Sequence, residues 1–207
     1  MIATKLIIFA LLLLSQAAFA QQGCSADTLS DAVFARMQGK SFPEKCTVRR
    51  TDLRYLTVLH YDAKGPVHQG ELVCNKAIAT DLLYIFKELY KAHYPIERMR
   101  LIDDYDADDE RSMRDNNTSC FCFRAVEGTK VLSKHARGLA VDVNPLYNPY
   151  VKGSVIQPQT ARKWADRSRR SAYTIKRRDL LWRLFTERGF QWGGSWKSLK
   201  DYQHFEK

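Results

Sequence analysis

Two histidines and two aspartates are the residues of this sequence best placed to do chemistry. His135 and Asp142 stand seven residues apart in Ser133-Lys-His-Ala-Arg-Gly-Leu-Ala-Val-Asp142, and Asp201 precedes His204 by three near the end of the 207 residues. Gly138 allows a sharp turn after the first histidine. From Leu139 to Val143 the pattern predicts a strand, with Leu139, Val141 and Val143 toward a core. Ala140 and Asp142 then face the other way, toward His135. Imidazole nitrogen and carboxylate oxygen are both good Zn²⁺ ligands, and a catalytic zinc wants three protein ligands with one position open. His135, Asp142 and His204 can supply the three. Asp201 stands where an acid can reach a water at the metal without being a ligand, which is the place of a general base.

The pattern SxHxxGxAxD followed by acid-x-x-His resembles the zinc D-alanyl-D-alanine carboxypeptidase and L-alanyl-D-glutamate endopeptidase family of peptidoglycan peptidases. Asn116-Asn117-Thr118-Ser119, Phe123-Arg124, Asn144-Pro145, Asn148-Pro149-Tyr150 and Gly189-Phe190-Gln191-Trp192-Gly193-Gly194 are similar to its endopeptidase-like branch, so that the resemblance runs from about Gly70 to Lys207. It implies Zn²⁺ held by His135, Asp142 and His204, with Asp201 as catalytic base. It also implies catalytic work for Arg124, whose planar fork suits an oxyanion or a substrate carboxylate. Ser133 is expected to support the zinc site, and Trp192 and Trp196 to wall the cleft or join the core. The implied fold is α+β, a mainly antiparallel sheet carrying the zinc site with helices packed against it, as in the hedgehog domain. The implied function is hydrolysis of peptidoglycan stem peptides, as a D-Ala carboxypeptidase or an L-Ala-D-Glu-type endopeptidase. The chain departs from its relatives in having the shorter Asp201 where they carry Glu, and Ser195 where they often carry Asp.

Around these residues the sequence supplies a frame. Lys5, the apolar run Leu6 to Leu14 and Ala18-Phe19-Ala20 read as an export signal over residues 1–20. The apolar run is too short to span a bilayer, and no later segment can. The expectation is an exported protein of the periplasm or extracellular space, without an integral membrane segment and monomeric. Loss of Lys5 with the signal takes the formal charge from +10 to +9, which suits an anionic wall polymer. Residues 21–50 read as an N-terminal extension with a short helix over Asp27 to Gln38, and 51–207 as one peptidase domain.

Within that domain, strands are expected over Leu53 to Tyr61, Glu71 to Cys74 and Ile96 to Ile102, and helices over Asn75 to His93 and Asp179 to Arg188. The acid-rich Asp103 to Asp109 reads as a solvated loop entering a short helix. Lys152 to Arg178 reads as a long basic surface excursion. His60, His68 and His93 lack any ligand-like context. Five cysteines in an oxidising compartment predict one or two disulfides. Two other classes fit parts of this pattern. A non-catalytic zinc-bearing binding module of the same fold is opposed by Asp201, and a nucleic-acid binder, suggested by the isoelectric point near 9.4, by export and the absence of any nucleic-acid motif.

Overall fold

The computed structural model describes residues 23–126 and 128–207; the export signal expected at 1–20 lies outside the described residues. The chain opens with β1 (Ser25–Thr28) and the short helix α1 (Asp31–Met37), which Ser30 caps by accepting from Val33 N–H. β2 (Leu53–Tyr61) and β3 (Val67–Asn75) follow, and the three strands form one antiparallel sheet in the order β1-β2-β3. Residues before 50 are therefore part of this sheet, because Ser25 to Thr28 pair with Thr57 to Arg54.

Strand alternation gives the sheet two buried faces. Leu56, Val58, Leu72 and Cys74 join the main core, while Leu53 and Val73 join a smaller cluster with Met37, Leu101 and Phe121. Across the main-core face lies α2 (Lys76–Lys91), whose Ile78, Leu82, Ile85, Phe86 and Leu89 form its apolar stripe. Asn75 caps that helix by accepting from Ala77 N–H.

The next stretch is irregular. β4 (Arg98–Met99) is much shorter than the predicted strand, α3 spans Asp109–Arg114, and β5 (Asn117–Thr118) pairs in parallel with β4. Buried asparagines hold this stretch where ladders cannot. Asn117 exchanges hydrogen bonds with the backbone of Arg100, and Asn144 accepts from Glu97 N–H and donates to Pro95 O. Asp103, expected in a solvated loop, is buried and accepts from Ser41 N–H at 3.0 Å, burial raising its pKa.

Two more small sheets complete the chain. β6 (Ala140–Asp142) pairs with the last strand. β7 (Tyr150–Lys152) and β8 (Val155–Gln157) form a hairpin. After the basic excursion come α4 (Leu180–Glu187), β9 (Gln191–Trp192), β10 (Lys200–Asp201) and β11 (His204–Glu206). The strand orders are β6-β11-β9 and β10-β7-β8. The architecture is thus α+β with antiparallel sheets apart from the short parallel β4–β5 pair.

Phe205 joins the site sheet to the main core. It is fully buried, 4.4 Å from Phe185 of α4 between ring centroids, and beside Trp192. Burial of a side chain of this size contributes about 1.5–3 kcal/mol. All five cysteines are free thiols, against the predicted disulfides. Among the described residues no helix is long and apolar enough to cross a membrane.

Candidate active site and metal centre

Asp142 and His204 come together through strand register. In the β6–β11 pair they stand directly opposite each other, as do Val141 and Phe205, and Ala140 and Glu206. Alternation therefore sends Asp142, His204 and Glu206 to one face while Val141 and Phe205 pack beneath. Ala140 is small enough to leave that face open.

His135 arrives from a turn. It begins a single 3-10 turn ended by Gly138 at φ +67°, where a side chain would lie 2.6 Å from Asn75 N. Asn75 also fixes the turn from outside, its N–H donating to Gly138 O and its amide to Arg137 O. Ser133 Oγ accepts from His135 N–H at 3.2 Å, so the expected support from Ser133 reaches the histidine through its backbone.

Nε2 of His135 lies 3.1 Å from Asp142 Oδ2, and Nδ1 of His204 lies 3.1 Å from Asp142 Oδ1. The two ring nitrogens are 3.2 Å apart. Among the described residues these three form the one cluster of His, Cys, Asp or Glu side chains with converging ligand atoms. The protons explain why the cluster fits a metal. Cys120 O, 2.7 Å from His135 Nδ1, can only accept, which places a proton on Nδ1 and a lone pair on Nε2. Glu206 Oε2, 3.1 Å from His204 Nε2, likewise leaves the lone pair of the neutral ring on Nδ1.

Two lone pairs and a carboxylate then face one another, an arrangement that calls for a cation between them. The same surroundings favour positive charge in general, so that a proton competes with a metal ion for His204 Nδ1. Burial disfavours the imidazolium of His204, yet hydrogen bonds to Asp142 and Glu206 outweigh it and raise its pKa to about 10. Burial likewise opposes ionisation of Asp142, but the two histidines hold its carboxyl well below the usual range.

The site opens into a cleft of about 950 Å³ that also takes in Arg124, Ser133, Trp196, Asp201, Gln203 and Glu206. Asp201 sits on β10 opposite Tyr150. Gly193 lets the chain come close behind it, since a side chain there would lie 2.7 Å from Asp201 O and 3.3 Å from His204 Cβ. Burial pushes the Asp201 carboxyl up to about 6, His204 opposing the rise and Asp142 adding to it. Its Oδ1 is buried with no hydrogen-bond partner among the described residues, as is Oε1 of Gln203.

Arg124 lines the cleft with its Nε paired to Asp109 Oδ2. Trp196 packs 5.3 Å from the His204 ring and walls the cleft. Trp192 instead joins the core, its indole N–H donating to Tyr202 O at 2.9 Å.

Sequence reasoning missed Glu206, Asp109 and the Cys120 carbonyl. His204-x-Glu206 was a usable signal, since residues two apart on a strand share a face. Nothing in the sequence marked the other two. The remaining histidines lie outside this cluster: His60 Nδ1 bonds Ile96 O, His68 pairs with Asp62, and the His93 ring packs 4.3 Å from that of Tyr61.

A carboxylate between two buried imidazoles, beside an acid of raised pKa in the same cleft, is the kind of site that a metallopeptidase, a hydrolase, uses. Residues 127–207, which contain His135, Asp142, Asp201 and His204, match the family model described as D-alanyl-D-alanine carboxypeptidase. No solved structure matches the chain.

Proposed function

We propose that this protein is an exported zinc peptidase that hydrolyses peptide bonds in the stem peptides of peptidoglycan, as a D-Ala carboxypeptidase or an L-Ala-D-Glu-type endopeptidase. The observation that carries the reading is the convergence of His135 Nε2, Asp142 and His204 Nδ1 beside Asp201 within one cleft. Zn²⁺ is the metal this set of two imidazoles and one carboxylate suits best, and when bound it supplies Lewis acidity for activating water and polarising a carbonyl.

The chain's own groups account for the rest. Asp201, ionised above a pH of about 6, takes a proton from the attacking water and returns it to the leaving amine. Its burial makes it a stronger base than an exposed aspartate. Arg124 is held by Asp109 at one nitrogen, and its remaining N–H donors serve a substrate carboxylate or the developing oxyanion. Trp196 and the buried floor of the cleft limit water around the reacting bond.

Residues 51–207 form the peptidase domain in this reading, with β1 of the N-terminal extension paired onto its first sheet, and its fold is of the kind the family shares with the hedgehog domain. A non-catalytic zinc-bearing module of that fold would have no use for a buried acid with a raised pKa beside the metal ligands. The test is mass spectrometry of peptidoglycan fragments incubated with the zinc-loaded protein and with Asp201→Asn. New termini at one class of stem-peptide bond, absent with the variant, are the expected result. Fragments left intact by zinc-loaded wild type would refute the function.

A further inference from the structure

The cleft leaves unused the most strongly charged segment of the chain. Between Gln159 and Arg178 stand eight Lys or Arg residues against the single Asp166, a net +7 within a chain whose total is +10. Among the described residues, Arg162, Lys163, Arg170, Lys176, Arg177 and Arg178 are exposed and none pairs with a carboxylate. Only Arg169 has an acidic partner, Asp166 at 3.6 Å.

These cations are not what holds the segment in place. Arg167 donates to Tyr147 O, Asn148 Oδ1 and Ile175 O, drawing the chain back on itself across eight residues. Asn148 completes the knot, its amide donating to Tyr173 O while its Oδ1 accepts from Ile175 N–H. The Tyr147 ring touches Trp164 on one side and Tyr173 on the other, at centroid distances of 4.9 and 5.1 Å, which ties the 3-10 turn of Gln159–Trp164 to the same frame. The frame thus fixes the backbone from within and leaves the cations outward. Such crowding of like charge costs stability through mutual repulsion, which the Arg169–Asp166 pair and the contact of Lys163 with the Trp164 ring offset only in part.

The segment also borders the cleft. Gln157, just before it, lines the cleft; Gln159 N–H donates to Glu110 Oε1, another lining residue. Arg167 lies 4.3 Å over the ring of Tyr202, next to Asp201 in the chain.

Resting on the proposed peptidase reading, we infer that the face formed by residues 162–178 is a second binding surface for the polymeric substrate, gripping the free carboxylates of neighbouring stem peptides while one peptide occupies the cleft. An array of outward cations meets a polymer with repeated carboxylates at many points, and their sum matters more than any single pair. The surface therefore distinguishes intact polymer from a short soluble peptide.

The experiment uses the zinc-loaded protein and the variant Arg169→Gln/Arg170→Gln/Lys176→Gln/Arg177→Gln, with Arg162→Gln/Lys163→Gln as a second, smaller variant. Co-sedimentation with purified peptidoglycan sacculi is measured in the Asp201→Asn background, and hydrolysis of sacculi and of a short stem peptide in the active background. Expected is binding that falls on the order of tenfold in the fourfold variant and weakens in wild type as ionic strength rises from roughly 0.05 to 0.3 M. Sacculus hydrolysis should fall in parallel while short-peptide hydrolysis stays unchanged. Unchanged sedimentation in both variants would overturn the surface. So would binding to duplex DNA or phosphatidylglycerol vesicles with no binding to sacculi. Sacculus binding that depends on these cations, with no hydrolysis of either substrate, would refute the peptidase reading and leave the surface standing.

Discussion

Glu206 offers the sharpest test of how the proposed metal centre is built, because it touches no substrate in the proposed mechanism and is not one of the proposed ligands. It accepts from His204 Nε2 at 3.1 Å, and His204 in turn lowers the pKa of Glu206. That bond keeps the proton on Nε2 and Nδ1 free to ligate. A charge-assisted hydrogen bond contributes about 1.5–3 kcal/mol against about 1 kcal/mol for a neutral one. Glu206→Gln keeps an acceptor and loses the charge, so zinc affinity should fall about tenfold. Glu206→Ala loses both and should cost about 100-fold, the upper end expected for a partner of a metal-bound histidine. Chelator competition at fixed pH measures both affinities, and steady-state kinetics at saturating zinc measures what remains. The turnover number should recover to within a few-fold of wild type once zinc is saturating. Affinity unchanged in Glu206→Ala would refute the reasoning; turnover that stays low at saturating zinc would mean that Glu206 acts in catalysis.

Removing a ligand should be more drastic: His135→Ala or His204→Ala should lose the bound zinc, read by elemental analysis after reconstitution. Asp201→Asn should keep the metal and lose turnover. It should also stabilise the metal-free protein, because a folded pKa of about 6 against an ordinary 3.8 means that stability is fully present below about pH 4 and is lost as pH rises through 6. The gain should be about 3 kcal/mol at pH 7.5 and about 1 kcal/mol at pH 4.5, measured by urea denaturation with chelator; an equal effect at both pH values would rule out titration as its source. Gly193→Ala should push on the backbone of Asp201 and the Cβ of His204, lowering kcat/KM on the order of 100-fold in a protein that still folds, as circular dichroism would report. Arg124→Lys should impair turnover of a stem peptide on the order of 100-fold with zinc retained, since Lys cannot keep both the Asp109 pair and a forked donor.

The sequence by itself determined the candidate ligand set and the elements with strong periodicity. His135, Asp142, Asp201 and His204 are recognisable because a metal site needs those side-chain types, and a turn glycine with a following strand restricts their spacing. Leu53–Tyr61 and the stripe of α2 are legible because a buried face imposes its period locally. Register could not be read this way. That Asp142 faces His204, and that Phe205 between two site residues points to the core, follows from the pairing of strands some sixty residues apart in the chain. The pairing of β9 with β11, which sets Trp192 opposite Phe205, goes with Trp192 in the core, while Trp196 beyond that strand lines the cleft, a choice on which their identical side chains are silent. Partners without a side-chain signature were equally hidden. The Cys120 carbonyl that sets the His135 tautomer is a backbone atom common to every residue, and Asp109 looked like one more acid in a solvated loop until folding brought Arg124 against it. Local chemistry is written in residue types, whereas the protonation and aim of those groups depend on long-range neighbours that only the tertiary structure brings into contact.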